Sequence, residues 1–98
     1  MDIIAERIYY IASGDISLKI FKPIFDGNVW QCGYEIHWPN KGKKTRFVDG
    51  LDSMESLLMA FRLAEDFLEM IQREDKELLR WQAGMGLGLR IEFDEKGE

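Results

Sequence analysis

Apolar and polar residues alternate along the first half of the chain in a way that predicts β-strands. Ile3 to Ile11 is rich in Ile and Tyr, and Ile16 to Ile20 is apolar at every second position. The alternation is strongest from Val29 to Trp38, and Lys43 to Asp49 supplies a fourth, more polar strand. Short segments rich in Gly, Asp, Asn and Pro separate the four stretches, so we predict an antiparallel meander.

The third of these stretches predicts a central strand with two different faces. Its apolar face consists of Trp30, Cys32, Tyr34, Ile36 and Trp38. Its other face consists of Gln31, Gly33, Glu35 and His37. A strand of this kind buries one side in a core and leaves the other side wet.

After Gly50 the period changes to that of a helix. Asp52 and Glu55 have the spacing of a capping box, which predicts a helix start. The apolar positions that follow are three or four residues apart, and they are Leu57, Phe61, Ala64, Leu68 and Ile71. Glu74 to Glu77 ends the helix, which should lie across the apolar sheet face. The fold class is therefore α+β, a four- or five-stranded antiparallel meander packed against one long helix.

The C-terminal part of the chain is less regular. Leu78 to Trp81 fits a further helical turn or a short fifth strand, and we favour the strand. Residues 84–88 contain three glycines but also apolar residues, which indicates an ordered loop packed on the domain. We expect one α+β domain over residues 1–93 and a frayed tail over residues 94–98.

The helix carries more apolar surface than one packing face needs. The additional positions are Met59, Leu63, Phe67 and Met70. Our first interpretation is that a curled sheet and the segment from Trp81 to Leu89 cover them. The alternative is a partner or a second copy of the chain, because Met is common on adaptable binding surfaces.

Charge narrows the choice of partners. The 98 residues include 13 Lys+Arg and 18 Asp+Glu, a net charge of −5. Residues 1–50 contribute seven bases and six acids, whereas residues 51–98 contribute six bases and twelve acids. A net acidic chain is unsuited to nucleic acid or anionic membranes. With no apolar stretch long enough for a membrane span and a lone Cys32, we expect a cytoplasmic protein.

One short segment has a positive charge, opposite in sign to the net charge of the chain. Lys41, Lys43, Lys44 and Arg46 lie within six positions and close to Trp38. A basic hairpin beside an aromatic residue can contact nucleic acid, but lysines also protect the edge of a sheet. If this segment binds anything specific, an acidic protein surface fits the net charge better than DNA.

Candidate catalytic chemistry is sparse. Glu35 and His37 share a strand face and, together with Arg46, could serve a minimal enzyme or small-ligand binder. Cys32 and His37 are five positions apart and point to opposite faces, so they cannot form a nucleophile pair. One His and one Cys make a metal site improbable, and the glycines at 84–88 lack the helix that a phosphate loop requires. We expect no cofactor.

Several motifs together resemble a widespread family of small single-domain bacterial proteins known only as a domain of unknown function. They are Ile4-Ala5-Glu6-Arg7, Pro23, Trp30-x-Cys32-x-Tyr34-Glu35-Ile36, Gly50-x-Asp52-Ser53, Leu79-x-Trp81 and Leu87-Gly88-Leu89. The resemblance spans nearly the whole chain. It implies a compact α+β domain and assigns no catalytic residue.

These observations favour a non-catalytic module that binds another protein, with homodimerisation as one form of such binding. A small inhibitor or immunity protein is an alternative within the same class, since such proteins are compact, acidic and without chemistry of their own. The minimal enzyme built on Glu35, His37 and Arg46 is the alternative from a different class.

Overall fold

The computed structural model describes residues 1–39 and 41–89. Within them, four strands are long and three have only two residues. In chain order the elements are β1 (Ile3–Ile11), β2 (Gly14–Phe21), β3 (Ile24–Phe25), β4 (Trp30–Trp38), β5 (Gly42–Gly50), α1 (Ser53–Asp75), β6 (Arg80–Trp81) and β7 (Gly84–Met85).

All strand pairs of the sheet are antiparallel. The long strands lie in the order β1, β2, β4, β5, so the predicted meander is confirmed. The short strand β3 pairs with the start of β4, while β6 and β7 extend the sheet beyond β1. The sheet thus has more strands than the four or five predicted, because two-residue strands leave no alternating pattern in a sequence.

The central strand β4 sets the two faces of the sheet as predicted. Leu18 pairs with Ile36 and Ile20 pairs with Tyr34, so the apolar residues of β2 and β4 share one face. The helix packs on this face, mainly over β4 and β5. The buried core comprises Tyr9, Ile16, Leu18, Ile20, Cys32, Tyr34, Ile36, Ala60, Ala64, Leu68, Ile71, Leu79 and Leu87.

Both ends of α1 are capped. The carboxylate of Asp52 accepts a hydrogen bond from the Glu55 backbone N–H at 2.7 Å, which confirms the predicted start. The Glu55 carboxylate accepts from the N–H of Leu51 at 2.8 Å, one residue before the usual capping-box partner. Lys76 ends the helix in the left-handed region, with φ of 55°.

Gly50 joins the sheet to the helix. Its backbone is buried, and a Cβ atom at this position would collide with the backbone nitrogen of Ser56 in the first turn of α1. Glycine is required at position 50 because a side chain has no space there: the first turn of α1 packs directly on the end of β5. This contact gives a physical reason for the Gly50-x-Asp52-Ser53 motif.

The C-terminal segment is packed on β1. Arg80 pairs with Tyr10, so the predicted short strand is confirmed. The Tyr9 hydroxyl donates to the Leu87 carbonyl oxygen at 2.6 Å. Arg7 Nη1 donates to the carbonyls of Leu87 and Gly88 at 3.1 and 2.6 Å. The glycine-rich segment is therefore packed on the domain as predicted, but its first two residues form β7 and are not part of a loop. The expected tail at 94–98 lies outside the described residues.

We predict that Gly50→Ala lowers the free energy of unfolding by about 1–3 kcal/mol, the usual cost of forcing extra atoms into a packed site. Urea denaturation measures this change. Ser53→Ala, at an exposed position three residues on, is the control and should stay within about 0.5 kcal/mol of the parent. Equal stability of Gly50→Ala and the parent chain would contradict the close contact.

The burial of Tyr9 leads us to predict that the protein loses stability at alkaline pH. Burial raises the pKa of Tyr9, an effect that Arg7 partly offsets. Because the unfolded phenol loses its proton near pH 10 while the folded one retains it, the contribution of Tyr9 to stability holds below about pH 10 and falls above it. Tyr9→Phe should flatten this decline while costing about 1 kcal/mol at neutral pH through the lost hydrogen bond.

Urea denaturation from pH 8 to 11 compares the two chains. Tyr10→Phe provides the matched control, since it removes the same hydroxyl group at an exposed position of the same strand. Identical slopes in the parent and Tyr9→Phe would show that Tyr9 does not contribute to the decline.

Candidate interaction surface

Strand alternation divides the basic residues of the β4–β5 hairpin between the two faces of the sheet. The cross-strand register places Lys44 and Arg46 on the face that α1 covers and Lys43 on the opposite, open face. Lys41 lies in the turn before β5, and its Nζ is 3.1 Å from the Asp75 carboxylate at the end of α1. The predicted basic cluster thus wraps around the edge strand.

Neighbouring acids compensate this charge only in part. The Glu35 carboxylate lies 3.8 Å from Lys43 Nζ and 4.0 Å from Lys19 Nζ. The side chain of Lys43 is 67% exposed, so water screens this pair and the net attraction is weak. Lys44 Nζ lies 4.5 Å from the centre of the Phe67 ring, a cation–π contact. The basic side chains therefore stay presented at the surface.

An apolar strip of α1 lies beside these residues. We call it the helix flank, and it consists of Met59, Leu63, Phe67 and Met70. The Phe67 ring packs against Trp38, with ring centroids 5.6 Å apart, and it also contacts Lys44 of β5. The other three lie on the same side of the helix by their spacing. Met59 and Leu63 remain 39% and 37% exposed.

The prediction that the C-terminal segment covers this strip is wrong. Leu89 instead lies near Leu58 and Phe61, on the opposite side of α1. The physical reason is the anchoring of the segment at β1, where the Arg7 guanidinium stacks 3.6 Å above the Trp81 ring. Held there, the segment cannot reach the helix flank.

The helix flank and the basic hairpin form one continuous surface. Phe67 connects them, because it contacts both Trp38 and Lys44. Trp38, predicted as an interaction residue, is half-buried and contributes mainly packing. Arg46 is exposed next to this junction, and its charge opposes the rise in the pKa of Tyr34 that burial causes. The structure thus brings the two predicted interaction regions together.

A cavity of about 400 Å³ lies on the other side of α1, and the sequence analysis did not predict it. Its lining residues are Ala5, Glu6, Arg7, Leu18, Ile20, Leu58, Phe61, Gly88 and Leu89. Most of the wall is aliphatic, while Arg7 at its edge is already engaged by the loop carbonyls. In the sequence, the indication of this cavity is Arg7, a charged residue that stands between Ala5 and Tyr9 on the inward face of β1.

The open sheet face is more apolar than predicted. Because Gly33 has no side chain, the rings of Phe21 and Phe47 close over it, with centroids 6.5 Å apart. A smaller cavity of about 190 Å³ lies beside them. Phe47 remains 48% exposed, so this patch adds apolar surface to the same edge strand that carries the lysines.

The residues of the catalytic alternative are not brought together. Glu35 and His37 lie on the open face, whereas Arg46 pairs with Tyr34 and lies on the helix-covered face. Cys32 is buried on that covered face, and its Sγ donates to the Phe21 carbonyl at 3.2 Å. Burial raises the pKa of the Cys32 thiol, which keeps it protonated and unreactive at neutral pH.

Ligand-binding groups are sparse in the described part of the chain. No three His, Cys, Asp or Glu residues converge there in a group that could hold a metal ion. The glycine-rich loop points its Leu87 and Gly88 carbonyls at Arg7, and a Cβ atom on Gly88 would collide with the Trp81 ring. Across residues 1–39 and 41–89, no helix is both long and apolar enough for a membrane crossing.

The architecture defines a small α+β protein in which one helix packs on one face of an antiparallel sheet and a short C-terminal hairpin extends the sheet beyond β1. The chain belongs to the family described as a domain of unknown function (DUF6968), whose profile matches residues 5–91. This match confirms the resemblance to an unknown-function family. No curated protein and no solved structure shows a significant match to the chain.

The buried edge of Trp38 yields a prediction about stability. Its indole Nε1 is buried and has no hydrogen-bond partner among the described residues. Trp38→Phe keeps the ring contact with Phe67 and removes the unpaired donor, so it should change the free energy of unfolding by less than about 1 kcal/mol. Trp38→Ala removes the contact as well and should cost about 3 kcal/mol.

Urea denaturation measures the free energy of unfolding of the parent chain and of both Trp38 variants. A Phe variant as unstable as the Ala variant would show that the indole N–H has an acceptor, such as an ordered water.

Proposed function

We propose that this protein is a non-catalytic module that binds another protein through the helix flank and the β4–β5 hairpin. The observation that carries the proposal is the junction at Phe67, which makes an exposed apolar strip continuous with a basic edge strand. Apolar area supplies affinity when it leaves water, and the adjacent charges orient a partner of opposite sign.

The arrangement favours a protein partner over a nucleic acid. Phosphate backbones bind to broad basic surfaces, and here the outward side of α1 is acidic next to the hairpin. Its acidic residues at exposed or half-buried positions include Glu55, Asp66 and Glu69. A folded or extended protein segment can place its acids at the hairpin and its apolar residues on the flank.

Catalysis receives less support from the geometry. Glu35 and His37 lie on an open sheet face, away from Arg46 and from the two cavities described above. A general base needs a substrate held in a defined position, which usually takes a concave site. A small inhibitor or immunity role remains within the binding class, because it would use the same surface.

We predict that in-cell crosslinking followed by mass spectrometry recovers a partner with the parent chain. The double charge reversal Lys43→Glu and Lys44→Glu should reduce its recovery at least about tenfold, since each change replaces attraction by repulsion. Arg62→Glu with Arg80→Glu is the control, because it changes the net charge equally at exposed positions away from β5 and the helix flank.

Two outcomes would contradict the proposed function. One is unchanged recovery of the same partner after charge reversal at Lys43 and Lys44. The other is a monomer by light scattering together with no crosslinked partner in the native cell.

A further inference from the structure

The outer edge of β5 has unused hydrogen-bonding capacity. Along its whole length β5 pairs with β4 through its other edge, from Trp38 opposite Gly42 to Trp30 opposite Gly50. In the part of the chain that the structure describes, no other strand pairs with β5. A strand of nine residues therefore presents a row of free backbone N–H and C=O groups.

The opposite end of the sheet differs in this respect. There β1 pairs with β6 at Tyr10, and the C-terminal loop is fastened alongside through Arg7. Of the two outer long strands, β1 thus has a strand partner at one position of its outer edge, whereas β5 has none among the described residues.

The helix flank lies beside this edge. Successive side chains of an added strand point alternately to the two faces of a sheet. Those pointing to the covered face would meet Met59 and Leu63, which are the exposed part of the flank. They would also lie beside Lys44 and Arg46, which are on that face. Those pointing to the open face would meet Lys43, Thr45 and Phe47. The edge and the flank together form a site for one extended segment.

Charge decides which segment fits. Between Gly42 and Gly50 there are three basic residues and one acid, Asp49. Two copies of β5 placed edge to edge would each bring a net charge of +2, which disfavours self-association. An acidic segment is complementary to the stretch from Lys43 to Arg46. Apolar residues at alternate positions would face the flank. The acids between them would face Lys43 directly, and Lys44 and Arg46 would attract them from the other face of the strand.

We propose that β5 accepts an acidic, extended segment of a partner protein as an additional strand, with its apolar residues packed on the helix flank. This inference rests on the proposed function and adds the chemistry of the partner and its mode of binding. Strand addition supplies affinity through main-chain hydrogen bonds, and the side chains on alternate positions supply specificity.

Lysines on an edge strand also prevent aggregation, and the two roles make different predictions. Protection requires charge of either sign, so a chain with Glu at positions 43 and 44 would remain monomeric and keep any binding it had. A site for an acidic strand requires positive charge, so the same double variant would remain monomeric and lose binding.

The probe is a fluorescein-labelled peptide of alternating Glu and Val residues with blocked ends, and fluorescence anisotropy measures its binding to the full chain. Lys43→Glu with Lys44→Glu should weaken binding at least about tenfold. Leu63→Asp on the flank should weaken it by a similar factor, whereas Leu58→Asp on the opposite side of α1 should not. Circular dichroism verifies that each variant is folded.

Backbone methylation tests strand addition itself. Alternate amides of a strand point to opposite edges, so methylating the Val amides blocks one edge of the peptide and methylating the Glu amides blocks the other. One of these two peptides should lose binding at least about tenfold, and the other should retain it. In amide exchange, alternate N–H groups along β5 should become protected when the unmodified peptide binds.

Three results with the peptides would overturn this inference. They are no binding of the Glu–Val peptide at millimolar concentration, full binding by both methylated peptides, and equal binding of a Lys–Val peptide. The crosslinking experiment still decides the proposed function in each case, because a partner lost on charge reversal would show binding by a mode other than strand addition. A partner that pairs with β5 only as a second copy would appear as a dimer in light scattering and would likewise overturn it.

Discussion

One helix cannot cover the whole apolar face of this sheet. An α-helix with its side chains is about 10 Å wide, whereas adjacent strands are about 4.8 Å apart, so one helix covers two strands or slightly more. Here α1 covers β4 and β5, and the apolar residues of β1 and β2 need a second cover. The segment after the helix provides it, with Leu79 and Leu87 buried against the sheet.

This constraint explains why Arg7 lies on an inward face. A charged residue between Ala5 and Tyr9 interrupts the apolar pattern of β1, but its guanidinium is satisfied by two carbonyl oxygens and the face of Trp81. Tyr9 adds a third hydrogen bond to the same loop. The residue that interrupts the pattern thus attaches the second cover, which accounts for the arginine of the Ala5-Glu6-Arg7 motif.

The same constraint leaves the other margin of the sheet open. With the C-terminal segment committed to β1, no strand of the described chain pairs with the outer edge of β5, and Met59 and Leu63 of the helix flank stay partly exposed. The basic residues are concentrated at this margin, while the outward side of α1 is acidic. Apolar area, free backbone groups and a local positive charge therefore coincide at one place on the molecule, which is the basis for proposing a protein-binding role there.

The local elements follow from the amino-acid sequence alone, because each depends on interactions within a few residues. The two faces of β4, the cap at Asp52, the end of α1 and the meander order followed from alternation, helical spacing and turn residues. The sequence also located the basic hairpin and the excess apolar helix positions. The division of Lys43 from Lys44 and Arg46 between two faces was implicit in strand alternation as well.

Tertiary structure decided which surfaces are covered. Helical spacing shows that Leu58 and Leu63 lie on different sides of α1, but it does not show which side the C-terminal segment takes. That choice depends on contacts across about 80 residues, such as the one from Arg7 to Leu87. The two-residue strands, the cavity beside β1 and the junction of Phe67 with Lys44 depend likewise on residues distant in the chain, because packing in three dimensions leaves no local period to detect.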